Sequence, residues 1–307
     1  MPNAFESLRE NLRFDSAFWR KFMVAGIQYG PGFFVKYSPT LFGIGFGLGL
    51  PITRRRVQAS LEHVLGPRHP AQEALDIAAV FSNYAHCLTE AILVGTGRGF
   101  AVKPHVINVE YFDACIAEKR GVIVATAHTG GWDIAGAMLR RDRQQKVVTV
   151  MARERDSQAR KVQDEMRAKA GVEIIHIGDS PLDALPLVNR LRDNAVVAMQ
   201  IDRAPSSMRV RHVKLLGKPW CVPEGPLRLA ATTGAPILPI FTHRLDFMQY
   251  EALLHPPLHL SRRPSPEELD AAAQRLMDYF GAFLKTNATQ WFDFAREEPG
   301  SVTTAPP

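Results

Sequence analysis

Cysteine is scarce: the 307 residues hold three, Cys87, Cys115 and Cys221, far apart and with no Cys-x-x-Cys pair. That spacing leaves no disulfide framework and no thiolate zinc site. It fits a reduced, cytosolic setting in which all three behave as small apolar residues. The sequence also lacks Gly-x-Ser-x-Gly, which argues against a serine nucleophile at a strand-to-helix elbow. No signal-peptide pattern is visible, because Met1 to Glu6 brings an acid early and no basic region precedes an apolar core. Residues 37–52 carry no charge, but this stretch, bracketed by Pro39 and Pro51, falls short of the ~20 residues that cross a bilayer as a helix.

What is present suits a large folded unit. Hydrophobic residues make up 46% and charged residues 22%, enough core to exclude wholesale disorder. The net charge is +6, and its placement says more than its size. Arg54-Arg55-Arg56 follows the uncharged stretch, Arg140-Arg141-Asp142-Arg143 ends a helical segment, and basic and apolar residues alternate from Arg209 to Lys214. Such clusters suit an anionic membrane surface, a phosphate-bearing substrate or nucleic acid, and each one alone also suits a solvated face. With Trp19, Phe22, Phe33, Phe34 and Phe42 close by, residues 37–52 read either as a segment dipping into a membrane interface or as a buried hairpin over the core.

The chemistry is concentrated after the apolar run Gly121 to Thr126, whose β-branched residues predict a buried strand. Ala127-His128-Thr129-Gly130-Gly131-Trp132-Asp133 follows, with Gly130 and Gly131 permitting a sharp turn into a helix. A histidine at a strand exit faces the crevice where open α/β sheets bind ligands. Asp133 is spaced to reach one imidazole nitrogen and leave the other as a base. The same residues in isolation also read as a loop histidine and a carboxylate favoured at a helix N-terminus.

Around this motif the chain alternates. Helices are expected at 1–20, 53–66, 70–95, 132–140, 157–170, 181–192, 224–233 and 266–286. Strands are expected at 121–127, 146–151, 172–177, 195–201, 209–215, 236–243 and 247–254. The alternation predicts an α/β fold, a mixed, largely parallel sheet covered by helices on both faces, with an N-terminal helical extension. The expected division is 1–100 as a membrane-associating helical region, 101–296 as the catalytic α/β domain and 297–307 as a flexible tail. Further strand exits carry Arg153, Asp202 with Arg203, and the Gly217–Pro226 segment with Glu224, and a parallel sheet would bring such exits to one edge.

These blocks carry a resemblance. His128-Thr129-Gly130-Gly131-Trp132-Asp133 is similar to the His-x-x-x-x-Asp/Glu block of the bacterial lipid A biosynthesis acyltransferases. That family is related to the phosphatidylinositol mannoside acyltransferases and lies within the glycerolipid acyltransferase group. Asp202-Arg203, then Gly217 to Pro226 with Leu229-Ala230 and Thr233 to Pro236, and finally Gln290-Trp291-Phe292-Asp293-Phe294 resemble its later blocks in order. The N-terminal helices at Arg54–Leu61 and Phe81–Glu90 resemble its own, so the likeness spans about residues 50–296. Asp133, where many lipid A enzymes have Glu, resembles the mycobacterial branch.

The resemblance implies a glycerol-3-phosphate acyltransferase-like fold and an acyltransferase. The enzyme would move a fatty acyl group from acyl-CoA or acyl carrier protein to a hydroxyl of a glycolipid or lysolipid. It implies His128 as general base, Asp133 as its partner and Asp202 as a second catalytic carboxylate. Arg153 and Arg203 would be phosphate or oxyanion contacts, Glu224 would meet the acceptor, and Gly130, Gly131 and Trp132 would line the site. No metal or cofactor is required. The expected partners are the acyl donor, an anionic membrane lipid or glycolipid and the membrane surface, at the cytoplasmic face of the inner membrane. Nucleic acid is not expected. An acyl-thioester hydrolase, or a non-catalytic lipid- or nucleic-acid-binding protein using the basic clusters, are the competing readings.

Overall fold

A strand buried on both faces belongs inside a sheet, and Val122 to Thr126 is buried throughout. The computed structural model describes residues 17–98, 100–152, 171–177, 181–204 and 208–294. It begins with four helices, α1 (Ala17–Tyr29), α2 (Gly32–Gly49), α3 (Pro51–Leu65) and α4 (Pro70–Thr96). There follow β1 (Lys103–Ile107), α5 (Glu110–Ala117), β2 (Val122–Thr126), α6 (Trp132–Arg143), β3 (Val147–Ala152) and β4 (Glu173–Ile177). The last part comprises α7 (Leu185–Arg192), β5 (Val196–Gln200), β6 (Val210–Leu215), β7 (Lys218–Pro223), α8 (Gly225–Thr233), β8 (Ile237–Asp246), β9 (Gln249–Leu254) and α9 (Pro266–Asn287).

The main sheet has seven strands in the order β1-β9-β8-β2-β5-β3-β4. Strands β8, β2, β5, β3 and β4 run parallel, while β9 is antiparallel to β8 and carries β1 parallel to itself at the edge. The expected α/β class with a mixed, mostly parallel sheet is what forms. The register places Thr126 opposite Gln200, so the two strands end side by side.

Helices cover both faces. Leu187 and Leu191 of α7, Leu227 of α8 and Phe280 of α9 pack with Ile123, Val197 and Phe241. On the other face Phe112 and Cys115 of α5 meet Val122, Val124, Val196 and Leu238. A third cluster joins the N-terminal helices to the rest, with Val57, Phe81, Ile92 and Leu93 packed alongside Ile134, Met138, Met248 and Tyr250. Cys87 and Cys115 lie inside these layers, where burial pushes both thiols up to about 12 and keeps them protonated.

Several elements differ from expectation. Residues 37–52 are not a hairpin: they lie mostly in α2, which packs Pro39, Gly43 and Gly47 inward and exposes Leu41, Phe42, Ile44, Phe46 and Leu48. Strand β6 pairs with an unforeseen β7 as a separate antiparallel ribbon rather than joining the main sheet. Edge strand β1 and helix α5 were likewise unforeseen. The helices expected at 1–20 (up to residue 16) and 157–170, and the tail from 297, lie outside the described residues.

Candidate active site

The edge expected from a parallel sheet forms. His128 follows β2 by two residues and Asp202 follows β5 by two, and the adjacency of these strands closes a gap of 74 residues. The imidazole Nδ1 stands 2.9 Å from Asp202 Oδ1, and the same oxygen accepts the His128 backbone N–H at 3.2 Å. Asp202 is fully buried, and its other oxygen, Oδ2, accepts the Trp291 indole N–H at 3.0 Å. Burial pushes this carboxyl up, but the His128 charge and hydrogen bond, the Arg203 charge and the Trp291 indole outweigh it and hold the acid well below the usual carboxylate range. An ionised carboxylate on Nδ1 therefore fixes the tautomer that leaves Nε2 unprotonated.

Arg203 adds a constraint. Its Nε–H points at the same Nδ1 from 3.2 Å. One ring nitrogen cannot donate to Asp202 and accept from Arg203 at once. With Asp202 ionised the Nδ1–H to carboxylate bond is the stronger, and the guanidinium is left available for another acceptor.

The floor of the site is the glycine turn. Thr129 bridges to Trp291, the Gly130 N–H donates to the Gln290 carbonyl at 3.0 Å, and the Phe292 N–H donates to the His128 carbonyl at 2.8 Å. The chain segment Gln290 to Phe292 thus clamps the His128 loop from beneath. A Cβ on Gly130 would collide with the Gln290 amide oxygen, and one on Gly131, whose φ is +86°, with the Tyr250 ring. The Gly130 amide is thus engaged by Gln290.

Of the other expected residues, Asp133 stands in the first turn of α6 and Trp132 opens that helix. The Trp132 ring lies edge-on to the imidazole with centroids 6.0 Å apart. Glu224 is buried and its Oε1 takes Arg211 Nη2 at 2.6 Å and Arg228 Nε at 3.0 Å. Burial raises that carboxyl, but hydrogen bonds and charge from the two arginines bring it below its ordinary value. Arg153 lies outside the described residues.

Trp291, Trp220 and Gln290 were not foreseen as members of the site. Trp220 donates its indole N–H to the Asp202 backbone carbonyl at 3.2 Å and lies against Trp291, so Asp202 is held by two tryptophans, one at its carboxylate and one at its main chain. The signal for Gln290 and Trp291 was the aromatic run at 290–294, and for Trp220 the Gly217–Pro226 segment.

A cavity of about 360 Å³ opens beside this group, within the span of small-ligand sites. Its lining includes Thr126, Gln200 and Trp132, neighbours in sequence of His128 and Asp202 but not those two residues themselves, and Val124, Phe112, Leu139, Ile240 and Leu254 make its walls apolar. The arrangement can remove a proton from a hydroxyl and hold an apolar chain next to the reacting atoms. Among the described residues no group of three or more His, Cys, Asp or Glu is placed to hold a metal ion.

The chain is similar to several known proteins. A phosphatidylinositol mannoside acyltransferase of Mycolicibacterium smegmatis is 26% identical over 281 residues, covering 87% of this chain and 89% of that protein. One from Mycobacterium tuberculosis is 32% identical over 187 residues, covering 60% of this chain and 56% of its own length. Among solved structures, a 1-acyl-sn-glycerophosphate acyltransferase of Thermotoga maritima aligns over 80% of this chain and 95% of its own, at 16% identity and a TM-score of 0.38. The family profile for bacterial lipid A biosynthesis acyltransferases matches residues 25–297, and the chain belongs to that family of acyltransferases.

Proposed function

We propose that this acyltransferase moves a fatty acyl group from a thioester carrier, acyl-CoA or acyl carrier protein, to a hydroxyl of a glycolipid or lysolipid, at the cytoplasmic surface of the inner membrane. The observation that carries the reading is the His128–Asp202 pair set at 2.9 Å beside an apolar cavity. A hydroxyl is a poor nucleophile at neutral pH, so His128 Nε2 takes its proton as the oxygen attacks the thioester carbonyl. Asp202 stabilises the imidazolium that forms. The tetrahedral intermediate then collapses, the ester forms, and the sulfur leaves with the proton returned by Nε2. Asp133, expected to orient His128, is in this reading a further acid of the site in the first turn of α6, with the Nδ1 contact made by Asp202. Arg203, released from Nδ1, and Arg153 contact the oxyanion or the donor phosphates. Trp132, with the Gly130–Gly131 turn, shapes the cavity mouth. Glu224, held by Arg211 and Arg228, fixes the start of α8, and the acceptor binds near it. The chemistry needs neither a covalent intermediate nor a metal.

Membrane attachment in this reading is peripheral or monotopic. Among the described residues one helix, α4, is long and apolar enough to cross a bilayer. It is instead a core helix, for it buries Glu90, whose carboxylate takes Arg244 Nε and Tyr250 OH at 2.7 Å each. The exposed face of α2 is the contact.

The test is transfer from a radiolabelled acyl thioester to extracted membrane lipids, with ester product and free fatty acid measured separately. The intact enzyme is expected to yield ester, and His128→Ala to lose it at unchanged thermal stability. Full ester formation by His128→Ala would refute the base assignment. Free fatty acid without ester would make the protein a thioesterase.

A further inference from the structure

A second cavity of about 360 Å³ lies between α2, α3 and the start of α4, and shares no residue with the one beside His128. Its apolar wall includes Ile44, Leu48, Ile77 and Phe81, and two charged residues, Arg54 and Glu73, line it as well. Ile44 and Leu48 belong also to the exposed apolar face of α2, so the groove is continuous with that face.

The charges are unusual in having no partner. Arg54 and Glu73 are both half-buried, and among the described residues neither side chain makes a hydrogen bond or ion pair, with the other or with anything else. Its neighbour Arg56, by contrast, is bound to Asp293 at 3.2 Å. Arg54 also sits where a cation costs energy. It is the fourth residue of α3, at the positive end of the helix dipole, with no acid in that first turn and Arg55 and Arg56 alongside. A half-buried guanidinium in such a field calls for an anion from outside the chain. Glu73 calls for a cation close by. An apolar wall open to the exposed apolar face of α2, ending in one unpaired cation and one unpaired anion, is complementary to a chain-bearing zwitterion.

We propose that this groove binds one glycerophospholipid with a phosphoethanolamine headgroup, as a ligand distinct from the acceptor. Arg54 holds the phosphate, Glu73 accepts from the ammonium, and an acyl chain lies along Ile44, Leu48, Ile77 and Phe81. A trimethylammonium group offers no N–H to Glu73, and an uncharged glycerol headgroup offers no cation, so the site discriminates by headgroup. The proposal does not depend on the transfer reaction.

Native mass spectrometry of the full chain tests it. The protein is taken from mixed micelles containing equal phosphatidylethanolamine, phosphatidylcholine and phosphatidylglycerol of matched chains. A one-to-one adduct enriched about tenfold in phosphatidylethanolamine is expected, the worth of one charge-assisted hydrogen bond. Glu73→Gln should erase the enrichment while leaving phosphatidylcholine binding in place, and Arg54→Gln should weaken all three about tenfold, both at wild-type thermal stability. Adducts without headgroup preference, no adduct at all, or an enriched adduct that survives both substitutions would each overturn the assignment.

Discussion

Asp202 does two jobs with one buried charge: one carboxylate oxygen fixes the His128 tautomer, and the other accepts the Trp291 indole N–H. Asp202→Asn keeps the shape but offers Nδ1 an uncharged acceptor or, after an amide flip, a donor. A loss of about 100-fold or more in kcat is expected, with little change in KM, and steady-state kinetics on the purified variant checks it. The same substitution reports on stability. Because the folded-state acid is held below its unfolded value, Asp202 contributes stability above the usual carboxylate range and loses it as pH falls. The acid side of a melting-temperature profile should therefore be flatter in Asp202→Asn than in the wild type. Trp291→Phe is the complementary change. It keeps a ring against Trp220 and Phe280 but strips Oδ2 of its donor, and should cost about 1.5–3 kcal/mol in denaturant unfolding.

At the scale of elements, the seam between α2 and α4 is set by small residues and one histidine. Gly43 and Gly47 bring α2 against the Phe81 backbone and ring, and His86 Nε2 of α4 meets Thr40 Oγ1 of α2 at 2.9 Å. Burial, and then the Arg244 charge, lower His86 to about 4. The native state thus holds this ring neutral, and protonation, which the unfolded chain accepts near 6.5, works against the fold. Stability is expected to fall as pH drops from about 6.5 towards 4, and the slope of melting temperature against pH should be shallower in His86→Gln. The half-buried His63, His243 and His255, also lowered by burial, leave part of the slope in place. This seam also marks where sequence reading stopped. Five glycines and Pro39 argue against a helix on local propensity, and α2 forms nevertheless because Gly43 and Gly47 permit close packing on α4. Strand β1 was missed because it is an exposed edge with Pro104 and no alternation, and β7 because Pro219 and Pro223 suit only a ribbon edge. The buried strands β2 and β5 were legible from their β-branched runs. That His128 would meet Asp202 depended on β5 lying beside β2, a choice made by tertiary packing and by no local pattern.

For the whole molecule, the largest exposed apolar residues are concentrated in the N-terminal helices. The sheet and its covering helices bury their apolar residues, whereas α2 and its flanks leave Tyr29, Phe33, Tyr37, Leu41, Phe42, Leu48 and Ile52 between 55% and 78% exposed. An apolar patch of that extent on a soluble surface marks an interaction site, and aromatic residues followed by Arg54 and Arg55 match the chemistry of an anionic bilayer interface. The patch is held rigidly with respect to the catalytic edge. Helix α2 packs on α4, and Glu90 of α4 is locked to Arg244 of β8 and Tyr250 of β9, the residue whose ring supports the Gly131 turn. With α2 as the proposed membrane contact, docking would hold His128 at a fixed height above the lipid, and the two functions should separate by mutation. Phe33→Ser, Leu41→Ser and Leu48→Ser combined remove exposed contacts and leave the buried face of α2 untouched. Each side chain buried in the interface is worth about 1.5–3 kcal/mol at most, so losing three should abolish flotation with phosphatidylglycerol-containing vesicles. Transfer to an acceptor dispersed in detergent should stay near wild type, because nothing at His128 or Asp202 has changed. If the triple variant still floats, the membrane contact lies elsewhere; if it stops floating and also loses transfer in detergent, α2 belongs to the catalytic unit.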